Sequence, residues 1–395
     1  MNSKIINEKL DQAVALLGEL GLDTWMTFAR ETTLTNDPCL DMVVGLDLTW
    51  HSAFIVNRSG KRIAVVGRFD AENVRNLGGY TQVIPYDQSI IPELIDSLTQ
   101  LNPQTIALNY SLSDPAADGL TYGMFRYLQD ALRSSPYGAR LVSAEKFIAA
   151  LRGRKSPSEV ELIRVAIETT EELYNRIGGT LELGQTEREI AAKMHTWREE
   201  LGLGTAWGEP YCPIVNAGPD SPVGHAAPGD FKTTRGQLLH MDFGLKQEGF
   251  CSDLQRMWYF LDDGETGVPD DIRRAWDACW GAIDAGAEKL KPDAQGWQVD
   301  AAARAFLIQA GYPEYQHALG HHLGRVAHDG STLLGPRWER YGQTPYGVVE
   351  VGNVFTLELG TEVPGRGYVG LEEDVLVTGT GIEWLSKPQR DIWVI

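Results

Sequence analysis

The second half of this chain places acidic residues inside segments whose other residues are typical of buried β-strands. The segment Gly236–Phe260 (GQLLHMDFGLKQEGFCSDLQRMWYF) predicts two strands joined by a tight turn. If Gln247 and Glu248 form the loop, Asp242 lies directly opposite Asp253, and such a pair shares one face with Cβ atoms about 4.5–5.5 Å apart. Two buried carboxylates at that distance repel each other, and a divalent cation removes the conflict. An exposed hairpin with two solvated acids, or a different turn, is the alternative.

Further groups that can bind a metal follow along the chain. They are three closely spaced histidines and two acids in β-rich runs. An acid on the inner face of a buried strand needs a partner. A single Zn²⁺ usually takes mostly nitrogen or sulfur ligands, so a mainly oxygen site fits two ions such as Mn²⁺ better. Any one histidine alone is equally explained as a core or surface residue. The groups are His317, His321, His328, Glu358 in Asn353–Gly360 (NVFTLELG) and Glu372 in Tyr368–Thr378 (YVGLEEDVLVT).

The length of 395 residues favours two domains. Residues 1–150 alternate β-rich runs with helical patterns, which predicts an α/β domain. A charged, Pro-containing turn at Leu151–Pro157 opens the second domain, residues 151–395, which carries seven of the eight histidines. The elements predicted here are strands at Thr24–Phe28, Ala53–Val56, Ile63–Val66 and Thr105–Leu108, and helices at Ile91–Leu101, Leu120–Leu132, Ser158–Ile177 and Thr186–Leu201.

Composition excludes several classes of protein. A net charge of −19 argues against nucleic-acid binding, which needs clustered Lys and Arg. Most of this acidity is explained by the need for solubility. Part of it is explained by a functional carboxylate cluster that a cation could neutralise. The four cysteines form no C-x-x-C pair, and the sequence shows neither a signal peptide nor a run of 18 apolar residues. We therefore expect a cytoplasmic protein with reduced thiols that binds neither nucleic acid nor membrane.

From about residue 150 onward the chain resembles the pita-bread metallopeptidases, which include methionine aminopeptidase, Xaa-Pro aminopeptidase, Xaa-Pro dipeptidase (prolidase) and the metal-independent creatinase. The motifs are MDFG…CSD, ALGHHLG, TLELG and LEEDVLVT. The resemblance implies a creatinase-type α/β domain followed by a pita-bread catalytic domain of the α+β class. It also implies two divalent metal ions per subunit, with Mn²⁺ favoured and Co²⁺ or Zn²⁺ as the alternatives. Their implied ligands are Asp242, Asp253, His321, Glu358 and Glu372.

The resemblance extends to histidines that contact substrate. His225 ends the motif PIVNAGPDSPVGH, and His328 follows His321 by seven residues. His317 lies four residues before His321, a position typical of the proline-specific members. The resemblance thus implies that His328 stabilises the oxyanion while His225 and His317 position the substrate.

The chain departs from its relatives where arginines hold the substrate carboxylate. Proline-specific relatives commonly carry an arginine two residues before the last bridging glutamate, and Gly370 occupies that position here. Relatives often carry a second arginine upstream of the TLELG motif, whereas this chain has the segment Tyr341–Gly347 (YGQTPYG), which contains no arginine. Candidate substitutes exist, although each is equally explained by surface or packing roles. These candidate substitutes are Tyr346, Arg337, Arg340 and Arg366.

Trp50 lies in a loop-like stretch of the first domain. It could reach a neighbouring site, or it could fill a crevice.

The activity implied by these features is hydrolysis of the bond before proline, foremost in Xaa-Pro dipeptides. A hydroxide bridging the two metals would attack the carbonyl, and Glu358 would carry its proton to the leaving nitrogen. An Xaa-Pro aminopeptidase of longer peptides, a creatinase-like amidinohydrolase and a non-catalytic binding module are the alternatives. The first domain is expected to mediate a homodimer, or to serve folding alone.

Overall fold

The structure is a computed structural model that describes residues 3–224 and 226–395. The chain divides into two compact units, Met1–Arg152 and Gly153–Ile395. Both units mix helices with strands. Among the described residues, every helix is too short or too polar to cross a membrane.

The first unit alternates strands with helices. Its strands are β1 (Thr24–Ala29), β2 (Ser52–Asn57), β3 (Arg62–Gly67), β4 (Gln82–Tyr86), β5 (Ile106–Leu108) and β6 (Leu141–Ser143). Its helices are α1 (Ser3–Glu19), α2 (Leu40–Val43), α3 (Ala71–Asn76), α4 (Ile91–Leu101), α5 (Tyr122–Ala131) and α6 (Glu145–Gly153).

These six strands form one sheet with the order β4-β3-β2-β1-β5-β6. β2 is antiparallel to β1 and β3, and the other neighbours are parallel. Successive strand residues point to opposite faces. Accordingly, Trp25 belongs to one apolar cluster and Met26 to another, so both faces of this sheet are covered. The predicted α/β character of the first domain agrees with this arrangement.

The second unit contains the motif-bearing segments. Its helices are α7 (Pro157–Gly178), α8 (Glu187–Glu200), α9 (Asp270–Lys289) and α10 (Gly296–Gln309). Its strands are β7 (Gly204–Thr205), β8 (Ile214–Ala217), β9 (Leu238–Phe243), β10 (Leu245–Gln247), β11 (Phe250–Cys251), β12 (Leu254–Tyr259), β13 (Val354–Val363), β14 (Gly367–Val377), β15 (Ile382–Trp384) and β16 (Trp393–Val394).

The larger sheet of this unit has the order β13-β14-β12-β9-β8; helix α9 packs against β13 and β14, and α10 packs against α9. Phe355, Leu357 and Leu371 belong to the apolar core beneath these helices. Because residues alternate between the two faces of a strand, Glu358 and Glu372 point away from the helices. The alternation therefore brings both glutamates to the opposite face of the sheet.

Helix α8 begins as the sequence predicts. The Thr186 hydroxyl accepts from the Glu189 backbone N–H at 3.2 Å, and the Glu189 carboxylate accepts from the Thr186 N–H at 2.8 Å. This capping box satisfies donors that the first helical turn leaves unpaired. Helix α7 begins with the same motif, formed by Ser156 and Glu159.

The predicted register of the aspartate hairpin is wrong by two residues. Asp242 lies opposite Gln255, and the two-residue loop is Glu248–Gly249. Both loop residues have positive φ, +50° and +85°, as a type I′ turn requires. A register shift of one residue would move each side chain of a strand to the opposite face of the sheet, whereas a shift of two residues leaves every side chain on its own face. Asp242 and Asp253 therefore share a face as diagonal neighbours.

Candidate metal centre

Four acids from four segments converge on one side of the larger sheet. Asp242 lies on β9, and Asp253 immediately precedes β12. Glu358 and Glu372 lie directly opposite each other on β13 and β14. The Tyr174 hydroxyl of α7 lies 2.6 Å from the Leu254 carbonyl oxygen and 3.1 Å from that of Met241. This contact holds the backbones of β9 and β12 beside the two aspartates.

All five predicted metal ligands line one cavity of about 450 Å³. Ligand atoms of Asp253, His321 and Glu372 lie within 4.8 Å of one another. The structure thus brings together residues that lie up to 130 positions apart in the chain, from Asp242 to Glu372. The other described residues that line this cavity are Trp207, Tyr211, Ile214, Ala327 and His328.

The imidazole of His321 faces the acids with its Nε2 atom. This atom lies 3.7 Å from Glu358 Oε1 and 3.8 Å from Asp253 Oδ2. Its Nδ1 atom lies 3.2 Å from the backbone oxygen of His322, which fixes Nδ1 as the protonated nitrogen of the neutral ring. Burial lowers the pKa of His321 to about 3. The lone pair of Nε2 is therefore directed at carboxylate oxygens, an arrangement that a bound cation stabilises.

The electrostatics of the acids lead to the same conclusion. Burial raises the pKa of Asp242, and burial together with the charge of Asp242 raises the pKa of Asp253 and Glu358. The pKa of Glu372 is raised by burial and then by Asp253. The Oδ1 atom of Asp242 is buried without a hydrogen-bond partner. Such a cluster fits divalent ions, because cations neutralise the repulsion and use the unpaired oxygen.

A second cavity of about 390 Å³ adjoins the first, and both are lined by Glu358, His321 and His328. The imidazoles of His321 and His328 meet edge to face with ring centroids 4.3 Å apart. His317 also lines the second cavity. The structure therefore brings two of the three predicted substrate histidines to the acid cluster. The third, His225, lies outside the described residues.

Residues 161–379, which include all of these ligands, match metallopeptidase family M24. The chain belongs to that family. It is thus a peptidase of a family that uses divalent metal ions, and the resemblance inferred from the motifs is confirmed.

Relatives of this M24 peptidase include uncharacterized peptidases of two bacteria. The one from Staphylococcus saprophyticus is 28% identical over 340 residues, which cover 86% of this chain and 88% of the relative. The one from Bacillus subtilis is 23% identical and covers 98% of this chain and 100% of the relative. These names establish no substrate.

Solved structures share the fold along the whole chain. An X-Pro aminopeptidase from Thermotoga maritima has a TM-score of 0.73 and 23% identity, covering 98% of this chain and 99% of its own. An Xaa-Pro dipeptidase from Bacillus anthracis has a TM-score of 0.74 and 21% identity, covering both chains fully. The predicted fold class, an N-terminal α/β domain followed by a pita-bread catalytic domain, is confirmed.

The predicted substitutes for the missing arginines are engaged elsewhere in this M24 peptidase. Arg337 lies over the Trp297 ring at 4.3 Å, and Arg366 donates to the Gly236 carbonyl oxygen at 2.9 Å. Neither belongs to the described residues that line the two cavities, and the same holds for Tyr346 and Arg340. Their role in substrate binding stays a prediction.

Trp50 belongs to the first unit. Its ring contacts those of Phe69 and Tyr86, with centroids 5.7 Å and 5.9 Å away. The residue is 36% exposed. Trp50 thus fills a partly open aromatic cluster within its own unit, and a contact with substrate stays a prediction.

Two further groups at the site were not predicted from the sequence. The first is a set of apolar lining residues, Trp207, Tyr211 and Ile214, which precede the metal-ligand motifs. The second is the pair His240 and Gln255, which lies beside the acids. The signal for this pair was available, because His240 and Gln255 lie two residues from Asp242 and Asp253 and strand residues two apart share a face.

Proposed function

We propose that this M24 peptidase hydrolyses the peptide bond that precedes proline, with two divalent metal ions, foremost Mn²⁺. The observation that carries the proposal is the convergence of four carboxylates and one neutral imidazole on a single cavity. Asp242, Asp253, His321, Glu358 and Glu372 would hold the metals. Metal ions in such a site lower the pKa of water and polarise the scissile carbonyl.

Glu358 is the residue that we assign to proton transfer. Its carboxylate lines both cavities, so it reaches the space on either side of the acid cluster. Burial and the neighbouring charge of Asp242 raise its pKa, which suits a group that must both accept and return a proton. In this proposal Glu358 takes a proton from the attacking water and passes it to the leaving nitrogen.

His328 and His317 would act on the substrate. The His328 ring packs against the metal-facing imidazole of His321, so a ring N–H would donate to the carbonyl oxygen as negative charge develops there. His317 lines the adjacent cavity together with Thr332 and Leu333, where it would position the peptide. His225 keeps the positioning role that the resemblance implies.

The walls of the cavities favour apolar groups on the substrate. Trp207, Tyr211 and Ile214 form one side of the first cavity. Proline presents an apolar ring with a fixed φ and no N–H. An apolar wall can accept such a rigid ring without leaving a polar group unpaired. Proline peptides therefore match this site better than peptides with a charged residue at the same position.

An Xaa-Pro aminopeptidase is the second candidate. Among the described residues that line the two cavities, none is a lysine or arginine. A dipeptide carries its free carboxylate next to the scissile bond, where a cationic partner stabilises it. In a longer peptide that position is a neutral amide. This lining thus favours longer peptides as substrates, whereas the resemblance to the family favours dipeptides.

An assay of matched peptides distinguishes the two activities. Gly-Pro-type dipeptides and Xaa-Pro-Xaa tripeptides would be tested side by side with Mn²⁺, Co²⁺ and Zn²⁺ in turn. Cleavage confined to dipeptides supports the dipeptidase, and efficient tripeptide cleavage supports the aminopeptidase. Equal cleavage of Ala-Ala and Ala-Pro peptides would contradict proline specificity. Hydrolysis that survives complete chelation would contradict the metal-dependent mechanism.

Assembly and location stay predictions. A homodimer is expected from the resemblance, and light scattering of the purified protein measures its mass directly against the 43.7 kDa of one chain. A cytoplasmic location is expected from the sequence and is tested by fractionating cells that express the protein.

A further inference from the structure

A row of buried polar side chains connects the loop after β8 to the candidate metal centre. Asn216 donates through Nδ2 to the Ser221 hydroxyl at 3.1 Å and to the Pro222 carbonyl oxygen at 2.8 Å. Its Oδ1 lies 2.9 Å from His240 Nδ1, and His240 Nε2 lies 2.8 Å from Gln255 Oε1. All of these side chains except that of Pro222 are at most 6% exposed as residues. Buried polar groups in such a row fix one another's orientation.

Gln255 is the last member of the row and contacts two candidate metal ligands. Its Nε2 donates to Glu372 Oε2 at 2.9 Å, and Glu358 Oε2 lies 3.4 Å from the same nitrogen. Ionised carboxylates only accept hydrogen bonds, so the NH₂ side of the amide must face the glutamates. The carbonyl side then faces His240, whose Nε2–H donates to it, so the single N–H of the neutral ring is used on Gln255 and not on Asn216. The amide of Gln255 therefore has one favourable orientation.

The space that Gln255 and His240 occupy is left free by Gly370. A Cβ atom built on Gly370 would lie 2.6 Å from Gln255 Oε1 and 2.6 Å from His240 Nε2. Both distances are shorter than van der Waals contact. Any side chain at position 370 must therefore displace the two groups that orient the amide.

We propose that Gln255, held by His240, is the positioning residue of the metal centre. It holds the carboxylates of Glu372 and Glu358 in the orientation that metal binding needs, and Gly370 provides the space for it. This inference rests on the metal site of the proposed function, but it does not depend on which peptide is cleaved.

The test compares metal affinity in two glutamine variants. Gln255→Met keeps the length of the side chain and removes the amide. Gln389→Met is the matched control, because Gln389 is also buried but bonds to the β12 backbone, through Met257 N at 2.9 Å and Met257 O at 2.8 Å. Metal-free proteins would be titrated with Mn²⁺ by calorimetry, and the melting temperature of each metal-free protein would be measured.

We expect Gln255→Met to weaken Mn²⁺ binding about 10–100-fold, the usual effect of losing a group that orients a metal ligand. Gln389→Met should bind Mn²⁺ as the parent does, even where it melts at a lower temperature. Parent-like Mn²⁺ affinity in a folded Gln255→Met protein would overturn the inference. A merely structural role of Gln255 would lower the melting temperature without changing the affinity of the folded protein.

Gly370→Ala gives an independent test should Gln255→Met fail to fold. It keeps every member of the row and pushes a methyl group into the amide. Gly379→Ala is its control, because a Cβ there meets no atom within 4 Å. Weaker Mn²⁺ binding by Gly370→Ala alone supports the inference, and unchanged binding by both variants contradicts it. A parent that binds no metal would overturn the metal centre and this inference together, whereas lack of proline-peptide hydrolysis would leave the inference standing.

Discussion

The Nε2 atom of His321 lies 3.7 Å from Oε1 of Glu358, and the ring of His321 is oriented so that no hydrogen lies between the two atoms. Two ligands of one ion, each about 2.0–2.2 Å from it, are separated by about 3–4 Å. The observed distance is too long for a hydrogen bond and matches a pair that shares a cation. The same applies to His321 and Glu372, whose atoms lie 3.9 Å apart.

Removal of metal should abolish hydrolysis and lower the melting temperature. A ligand present at 100 times its Kd stabilises the native state by about 2.7 kcal/mol. Without the ions, four buried carboxylates repel one another. Thermal unfolding would be followed before chelation, after chelation and after Mn²⁺ is added back, together with peptide turnover. An identical melting temperature in all three states would argue against a bound metal pair.

Glu358→Gln should remove proton transfer, and we expect kcat to fall about 10²–10⁴-fold, the range for loss of a general acid–base. Glu362→Gln is the control, because Glu362 is an exposed residue of the same strand. Metal content would be measured by atomic emission in both variants, so that loss of metal is separated from loss of proton transfer. Near-parent turnover by metal-loaded Glu358→Gln would refute the assigned role.

Asp242→Asn should stabilise the metal-free protein while it weakens metal binding. The substitution removes one of the mutually repelling buried charges, and we expect a gain of about 1 kcal/mol, the size of typical stabilising substitutions. Addition of Mn²⁺ should then raise the melting temperature less than it does in the parent. Asp277→Asn, at an exposed helix position, should change neither quantity. A metal-free Asp242→Asn protein that is less stable than the metal-free parent would contradict this explanation.

Lys155→Met should destabilise the fold by about 3–5 kcal/mol, because it leaves Asp329 without its buried cationic partner. Lys155 Nζ lies 2.9 Å from Asp329 Oδ2, and both side chains are at most 3% exposed. Asp329 also accepts from the Arg325 N–H at 3.0 Å, so the pair fixes the loop between His321 and His328. Urea unfolding of metal-free protein measures the loss.

The control for this ion pair is Lys387→Met. Lys387 pairs with Glu171 at 3.5 Å but its side chain is 89% exposed, and exposed ion pairs contribute about 0–1 kcal/mol. The double variant Lys155→Met with Asp329→Asn should regain part of the lost stability, because the buried charge is removed while an acceptor for Arg325 remains. Equal losses in the Lys155 and Lys387 variants would show that burial is not the cause.

The sequence alone identified the residues that are candidates for the chemistry. Motif spacing identified five metal-binding candidates, and the structure places all five around one cavity. Helix bounds were also accessible, since the periodicity of apolar residues is a local property: the predicted helix Ile91–Leu101 has those bounds in the structure. Even the wrong register of the hairpin kept Asp242 and Asp253 on one face, because strand residues alternate with a period of two.

Only the tertiary structure decided how these residues are held. The turn at Glu248–Gly249 depends on backbone torsions that the residue pattern did not reveal, so the pairing of Asp242 with Gln255 became visible only in the fold. The space above Gly370 is likewise defined by His240 and Gln255, which come from two other strands. Residue types and their spacing are local properties of a chain. Contacts between side chains of different strands are not, because they depend on strand order and register.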